Sequence, residues 1–244
     1  MLFSCLGSGQ ARASDVALEL VLLADSSSSI RGPEFDLQVQ GYAEAFRDPE
    51  VIQAILELGG NGIAVTFVQW SAHFQQLDSV GWTHLRNAAD VRAFADAIQS
   101  QARRFQGFGT ATGNALEYGG EILNENAFFG QRRIIDLSSD ERSNQGPHPR
   151  SIRPKLLAQG ITINGLAILD DAFDMLGYFR DFVIGGPDAF VIAVEGYEDF
   201  AEAIKLKLVR EIAGQPVADN RRAPTPAFAT ADSATAPDRV PSPG

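Results

Sequence analysis

Apolar runs alternate with amphipathic stretches along most of the chain. Residues 16–24 (VALELVLLA) form an almost unbroken apolar run, which is the pattern of a central strand covered on both faces. Similar runs at 63–70, 132–139, 161–168 and 190–194 predict further strands, and residues 74–82 predict a weaker extended segment.

Helical periodicity fills the intervals between these strands. It predicts helices at 33–55, 88–98, 114–123, 151–158 and 198–212, and a short helical segment at 175–182. Strands that alternate with helices imply right-handed crossovers, so the expected fold class is α/β, with a doubly wound, mostly parallel sheet flanked by helices. In such sheets the functional site lies beyond the carboxyl ends of the strands.

The length of 244 residues predicts one domain, over residues 15–213. Residues 1–13 resemble the second half of an export signal, because an apolar start is followed by Ala11-Arg12-Ala13, the small-x-small pattern of a cleavage site. This favours a periplasmic or secreted protein; lipidation of Cys5 is a lesser alternative. From Gly214 to residue 244, Pro, Ala, Thr and Ser dominate and predict a disordered tail.

Composition narrows the classes of partner. The 31 acidic and 20 basic residues give a formal net charge of −11, which disfavours nucleic acid as a partner and suits a protein that attracts cations. No stretch reaches the ~18–20 apolar residues of a membrane span. Cys5 is the single cysteine and precedes the first strand, so the folded part has no disulfide and no cysteine metal site.

Three groups of oxygen-bearing side chains fall at the same predicted edge of the sheet. Asp25-Ser26-Ser27-Ser28-Ser29 follows the first strand, Thr110 lies in a glycine-rich loop, and Asp140 follows a later strand. Hard cations such as Mg²⁺ and Ca²⁺ take oxygen ligands. Asp25, Ser27 and Ser29 occupy alternate positions and can converge. Each group also has a simpler interpretation, because Ser, Thr and Asp commonly cap helices and form turns.

These motifs resemble the metal-ion-dependent adhesion site of von Willebrand factor A and integrin I domains. Asp25 to Ser29 has the Asp-x-Ser-x-Ser form, and residues 109–113 (GTATG) and 134–140 (IIDLSSD) resemble the two later elements in order. The resemblance implies Ser27, Ser29 and Thr110 as direct ligands of one divalent cation, with Asp25 and Asp140 binding directly or through water. Mg²⁺ is the expected ion, with Ca²⁺ or Mn²⁺ as alternatives, and an Asp or Glu of a protein partner would fill the open position.

The span from about Asp15 to Ile212 is also similar to an uncharacterised bacterial family of exported von Willebrand factor A-like domains. Residues 42–49, 160–168 and 183–187 carry this closer likeness. One departure concerns the usual Asp-Gly pair, which is Asp140-Glu141 here. Glu141 either adds a carboxylate near the metal or faces solvent, and solvent exposure is the favoured interpretation.

Other candidate residues have mainly structural interpretations. His73, His84 and His148 lack the spacing of zinc ligands and are expected at the surface or in packing. Trp70 and Trp82 are expected in the core or at its rim. The pair Arg103-Arg104 either orients an incoming carboxylate or is a solvated charge pair.

The sequence therefore predicts a metal-dependent protein-binding module and no enzyme. One alternative is a Mg²⁺-dependent hydrolase with Asp25 as nucleophile, but the second acid usual two residues later is Ser27 here. The other alternative is a structural module with a vestigial metal site.

Overall fold

The computed structural model describes residues 14–105, 109–169 and 174–214. Its six strands are β1 (Ser14–Asp25), β2 (Ile63–Trp70), β3 (Gln76–Leu85), β4 (Phe128–Ser139), β5 (Ile161–Ile168) and β6 (Val191–Val194). Its α-helices are α1 (Gly32–Arg47), α2 (Pro49–Glu57), α3 (Ala88–Gln99), α4 (Thr112–Glu125), α5 (Pro149–Ala158), α6 (Met175–Tyr178) and α7 (Phe200–Ala213).

The strands form one sheet in the order β3-β2-β1-β4-β5-β6. All neighbouring strands are parallel except β2 and β3, which pair antiparallel at one edge. This confirms the predicted α/β class with a mostly parallel sheet. Because β1 and β4 are central neighbours and run in the same direction, Asp25 and Ser139 end at the same edge of the sheet.

Helices cover both faces of the sheet, and β1 shows how its sequence allows this. Leu18, Leu20 and Leu22 pack in one buried cluster, whereas Val21 and Leu23 pack in the other. Successive side chains of a strand point to opposite faces, so apolar residues on both faces leave no face for water. The almost unbroken apolar run is therefore explained by burial on both sides.

Several predicted elements have other bounds in the structure, and β4 begins at Phe128, four residues before its predicted start. The helix predicted over 33–55 is divided into α1 and α2 at Asp48, since Pro49 has no N–H and excludes the preceding residue from helical geometry. The Asp48 carboxylate accepts from the Glu50 N–H at 2.7 Å and caps α2. The weak segment predicted at 74–82 is the edge strand β3, which begins and ends two to three residues later.

A helical segment at Phe179–Val183 with π-type hydrogen bonding continues α6, so the short helix predicted at 175–182 is present. The predicted export signal at 1–13 and the predicted tail beyond Gly214 lie outside the described residues. Among the helices described, none has the length and apolar character needed to cross a bilayer.

Candidate metal centre

Asp25 is the last residue of β1, and its side chain is fully buried at the sheet edge. One carboxylate oxygen, Oδ1, accepts from the Ser27 backbone N–H at 2.8 Å. The other, Oδ2, accepts from the Ser139 hydroxyl at 2.5 Å. The loop after Asp25 is held to β2, because both the N–H and the hydroxyl of Ser26 donate to the Trp70 carbonyl. Ser26 thus points away from the site, as its position in the loop predicts.

The alternate serines of this loop connect β1 to the end of β4. The hydroxyls of Ser27 and Ser29 lie 3.1 Å apart, and the Ser29 hydroxyl donates to Asp140 Oδ1 at 2.8 Å. Since Ser29 gives its one proton to Asp140, Ser27 is the donor to Ser29. The hydroxyl protons of Ser27 and Ser29 therefore point along this row of hydrogen bonds toward Asp140. Lone pairs of both hydroxyl oxygens remain available to a cation.

Thr110 reaches the same sheet edge from the loop before α4, and it is fully buried. Its loop is fastened to the end of β2: the Ser71 hydroxyl donates to the Gly109 carbonyl and the Ala111 N–H donates to the Ser71 carbonyl. Gly109 has φ +140°, and a Cβ there would lie 2.2 Å from the Gln145 side chain, so this position requires glycine. Hydrogen bonds to Ser71 on both sides of Thr110 therefore fix the position of this loop.

The preferred interpretation of Glu141 is wrong. Its carboxylate does not simply face solvent, because Oε2 accepts from the Thr110 hydroxyl at 2.8 Å. Asn144 links the same two residues: its side-chain oxygen accepts from the Thr110 N–H at 2.8 Å, and its amide nitrogen lies 3.3 Å from Glu141 Oε1. The structure thus joins Asp25, Ser27, Ser29 and Asp140 by hydrogen bonds, and it joins Thr110 to Glu141.

Arg103 has a role that neither predicted alternative describes. Its guanidinium donates to the carbonyl of Ser26 at 3.0 Å and also contacts the carbonyl of Ser27. It therefore fastens the backbone of the serine loop from outside. Arg104 is exposed, and its backbone N–H donates to Gln69.

Burial makes the charges of this edge interdependent. Burial first, and then the negative charge of Asp140, raise the pKa of Asp25 to about 7, while hydrogen bonds from Ser139 and Ser27 oppose the shift. Burial and the charges of Asp140 and Asp25 also raise the pKa of the Tyr197 phenol. A bound cation would favour the ionised form of both carboxylates.

Sequence reasoning missed Ser71, Ser139 and Tyr197. Ser139 had a signal, because it directly precedes Asp140 at the end of a strand. Ser71 and Tyr197 lie outside the motifs, and nothing in their local pattern indicates a shared site. Their positions follow only from the sheet order and the path of the loops.

The donor set is rich in hydroxyls and poor in charge. Within residues 14–105, 109–169 and 174–214, no group of three His, Cys, Asp or Glu side chains is placed to hold a metal ion. Any cation here would depend on serine and threonine oxygens together with Asp25 and Asp140. Such oxygens suit Mg²⁺, Ca²⁺ or Mn²⁺ rather than a softer metal.

The three histidines lie in other contacts. His73 Nδ1 is 3.4 Å from Gln145 Oε1, and the His84 ring is 2.8 Å from the Asn61 carbonyl. His148 caps α5 by accepting from the Arg150 N–H, and its ring packs edge-on against Phe182. Trp70 is fully buried, and Trp82 is partly buried within β3.

Residues 15–216 match the family described as "Protein of unknown function (DUF1194)". The chain belongs to this family. No curated protein sequence matches it significantly. The match extends from the second residue of β1 to just beyond α7, so this DUF1194 protein carries the family's domain over its whole described fold.

Solved structures similar to the DUF1194 protein include a von Willebrand factor type A protein and two proteins with other names. Proximal thread matrix protein 1 of the mussel byssus is 20% identical over 83% of this chain and 50% of its own, with a TM-score of 0.60. A von Willebrand factor type A protein from Catenulispora acidiphila is 16% identical over 82% and 43%, with a TM-score of 0.55. The pilus adhesin SpaC from Lactobacillus rhamnosus GG is 16% identical over 84% and 31%, with a TM-score of 0.52.

At these identities the likeness shows the fold, and it confirms the predicted von Willebrand factor A-like architecture. The DUF1194 chain spans about half the length of the first of these proteins and less of the others. The mussel protein has also been described with a zinc-occupied metal-ion-dependent adhesion motif.

Proposed function

We propose that this DUF1194 protein is a binding module that holds one divalent cation and uses it to bind an acidic side chain of a protein partner. The observation that carries the proposal is the convergence of Asp25, Ser27, Ser29 and Asp140 through hydrogen bonds at one sheet edge. These four residues come from two chain segments more than a hundred positions apart. Thr110, buried in the neighbouring loop, completes the proposed ligand set.

The chemistry of this set fits a hard cation that keeps an open position. Ser27, Ser29 and Thr110 offer neutral oxygens, and Asp25 and Asp140 bring two negative charges directly or through water. A site with few charges leaves the cation electrophilic, and Mg²⁺ in proteins usually keeps several exchangeable waters. When bound, the ion would supply a Lewis-acidic position that a partner's Asp or Glu carboxylate could take. Mg²⁺ is the proposed ion, and Ca²⁺ or Mn²⁺ would use the same oxygens.

A binding role agrees better with the surroundings of Asp25 than a hydrolytic one. Hydroxyl and amide groups of Ser27 and Ser139 satisfy its carboxylate, and it makes no ion pair with a residue in the described part of the chain. A hydrolase with Asp25 as nucleophile would need a second group to protonate the leaving group. The residue two positions on is Ser27, which has no acidic proton at neutral pH. The adhesion motif of the mussel protein, on the same fold, supports the binding role.

Calorimetric titration of the metal-depleted protein with Mg²⁺, Mn²⁺ and Ca²⁺ tests the first half of the proposal. We expect one binding event in the wild type and its loss in Asp25→Ala and in the double variant Ser27→Ala with Ser29→Ala. Ser28→Ala is the matched control, because Ser28 is exposed and, in the described part of the chain, its side chain makes no hydrogen bond to the site residues. The absence of heat from the wild type at millimolar metal would support a structural module instead.

Capture of partners from the native source tests the second half. Binding should be lost in EDTA, restored by the cation, and absent with Asp25→Ala. Capture that is indifferent to EDTA and to this substitution would refute a metal-dependent contact. Turnover of a phosphate ester that Asp25→Asn abolishes would favour the hydrolase.

We further propose that the protein acts in the periplasm or outside the cell, on the basis of the signal-like residues 1–13. Cell fractionation of the full-length protein, with an Ala13→Arg variant to block cleavage, tests this location. Recovery of the uncleaved protein from the cytoplasm would contradict it.

A further inference from the structure

Glu141 occupies a position beside the proposed cation site that the sequence motif does not assign. It follows Asp140 at the end of β4 and is partly buried. Its Oε2 accepts from the Thr110 hydroxyl, and its Oε1 lies within reach of the Asn144 amide, which in turn holds the Thr110 backbone. Thr110, Glu141 and Asn144 therefore form a closed ring of three contacts.

The direction of the Thr110 proton decides what this ring can do. A threonine hydroxyl has one proton and two lone pairs, and it binds a cation through a lone pair. When Glu141 accepts the proton, both lone pairs are left facing away from Glu141. The buried Thr110 side chain has little freedom to rotate out of this arrangement. Residues that orient a metal ligand through a hydrogen bond contribute to metal affinity, although they do not touch the ion.

We propose that Glu141 is a positioning residue of the cation site, which fixes the Thr110 hydroxyl for metal binding and adds a third negative charge beside Asp25 and Asp140. This inference rests on the proposed function. In this inference Thr110 remains the direct ligand of the cation, and Glu141 affects only the affinity with which the cation is bound. Removal of Glu141 should therefore weaken metal binding without removing any direct ligand.

The experiment is calorimetric titration of Mg²⁺ and Mn²⁺ into metal-depleted wild type, Glu141→Ala and Glu141→Gln. Loss of an orienting partner typically weakens metal binding about 10–100-fold, and we expect Glu141→Ala in this range. Glu141→Gln keeps an acceptor for the Thr110 proton but loses the charge, so its affinity should fall between those of the wild type and Glu141→Ala. Urea unfolding in EDTA shows whether each variant folds.

A double-variant cycle shows whether Glu141 acts through Thr110. Thr110→Val keeps the shape and removes the hydroxyl. If Glu141 acts through Thr110, the double variant loses clearly less affinity than the sum of the two single losses, and what Glu141→Ala still adds to Thr110→Val is the contribution of its charge. Fully additive losses would overturn the positioning role, because Glu141 would then act without Thr110.

Glu34→Gln is the matched charge control. Glu34 lies at the start of α1, and its carboxylate is engaged by Arg31. An equal loss of affinity in Glu34→Gln and Glu141→Gln would mean that only the net charge of the protein matters, and it would overturn the inference. A change of less than twofold in Glu141→Ala, with normal binding by the wild type, would overturn it and leave the proposed function standing. Absence of metal binding by the wild type would refute both.

Discussion

The fold buries carboxylates in two regions and treats them differently. In the middle of β4, Asp136 is fully buried together with Glu211 of α7, and the Lys207 ammonium lies 2.9 Å from Asp136 and 2.5 Å from Glu211. At the carboxyl edge of β1, Asp25 is just as buried, but hydroxyl and amide donors surround it and it makes no ion pair within the described residues. In the first region the neutralising cation is a lysine of the chain itself, whereas the second region is the site that we propose for a cation from solution.

The two regions differ in how the buried negative charge is balanced. Burying a charge is costly unless it is paired and hydrogen-bonded. In the region between β4 and α7, Lys207 supplies that pairing, so these buried charges have a structural role. Asn164 supports it by donating to Glu211 Oε1 at 2.8 Å. Around Asp25 the pairing is left open, and the raised pKa of about 7 reports the cost of the unpaired charge. Four predictions test this distinction.

Removal of the internal cation should have the largest effect. Lys207→Met leaves Asp136 and Glu211 buried without their ammonium, and breaking a buried ion pair in this way costs about 3–5 kcal/mol. The free energy of unfolding from urea titration measures it. Lys205→Met, two residues earlier and partly exposed beside Glu202, is the control and should change stability by less than about 0.5 kcal/mol. A loss below about 1 kcal/mol in Lys207→Met would show that the region does not depend on its lysine.

Removal of the charge at Asp25 should affect cation binding and spare the metal-free fold. Asp25→Asn keeps an oxygen that accepts from the Ser27 N–H but ends the repulsion with Asp140. We expect the affinity for Mg²⁺ to fall at least ~100-fold, about 2.7 kcal/mol. The unfolding free energy in EDTA at pH 8 should be unchanged or higher. A destabilisation in EDTA as large as that of Lys207→Met would make Asp25 a structural residue like Asp136.

The fold was largely predictable because burial on two faces leaves a strong local record. The strands appear as apolar runs. The Asp-x-Ser-x-Ser motif is equally local, because Asp25, Ser27 and Ser29 lie within five consecutive residues. Glu141 and Arg103 were misinterpreted for the opposite reason. Their partners, Thr110 and the Ser26 carbonyl, lie 31 and 77 positions away, and no local periodicity encodes such contacts.

The Lys207 region illustrates the same limit. A lysine and a glutamate four positions apart on a helix are ordinarily a surface pair. Here the register of β4 places Asp136 beneath α7, and the pair becomes part of a buried triad in which Lys207 contacts both carboxyl groups. The sequence contains Asp136 inside an apolar run, but its partner is defined only by packing of α7 on the sheet.

The pH dependence of stability should separate the two regions further. Burial first, and then the charge of Asp136, raise the pKa of Glu211 from 4.5 to about 7, although Lys207 opposes the shift. The native state then holds a proton that the unfolded chain releases above pH 4.5. Stability in EDTA is therefore highest below pH 4.5 as far as Glu211 is concerned, and it declines as pH rises toward 7.

Glu211→Gln removes this titration while keeping an oxygen that accepts from Asn164 and Lys207. Asp25 contributes a decline of the same sign, so the difference between the wild-type and Glu211→Gln curves isolates Glu211. We expect this difference to be on the order of 2 kcal/mol between pH 5 and 8. Identical curves would mean that Glu211 stays ionised throughout. Saturating Mg²⁺ should flatten the contribution of Asp25 alone.

The smallest expected effect concerns Arg103, which fastens the serine loop at the open site. Its planar guanidinium reaches the carbonyls of both Ser26 and Ser27, and a lysine ammonium cannot reproduce two donors in a fixed fork. Arg103→Lys should therefore loosen the loop and weaken Mg²⁺ binding about 2–5-fold, which is below 1 kcal/mol. Arg104→Lys is the matched control, because it makes the same change at the next, exposed residue and should leave affinity unaltered. If Arg103→Lys also leaves the affinity unaltered, the loop keeps its ligand geometry through Asp25 and Ser26 alone. If both variants lose affinity equally, the arginines act only through charge.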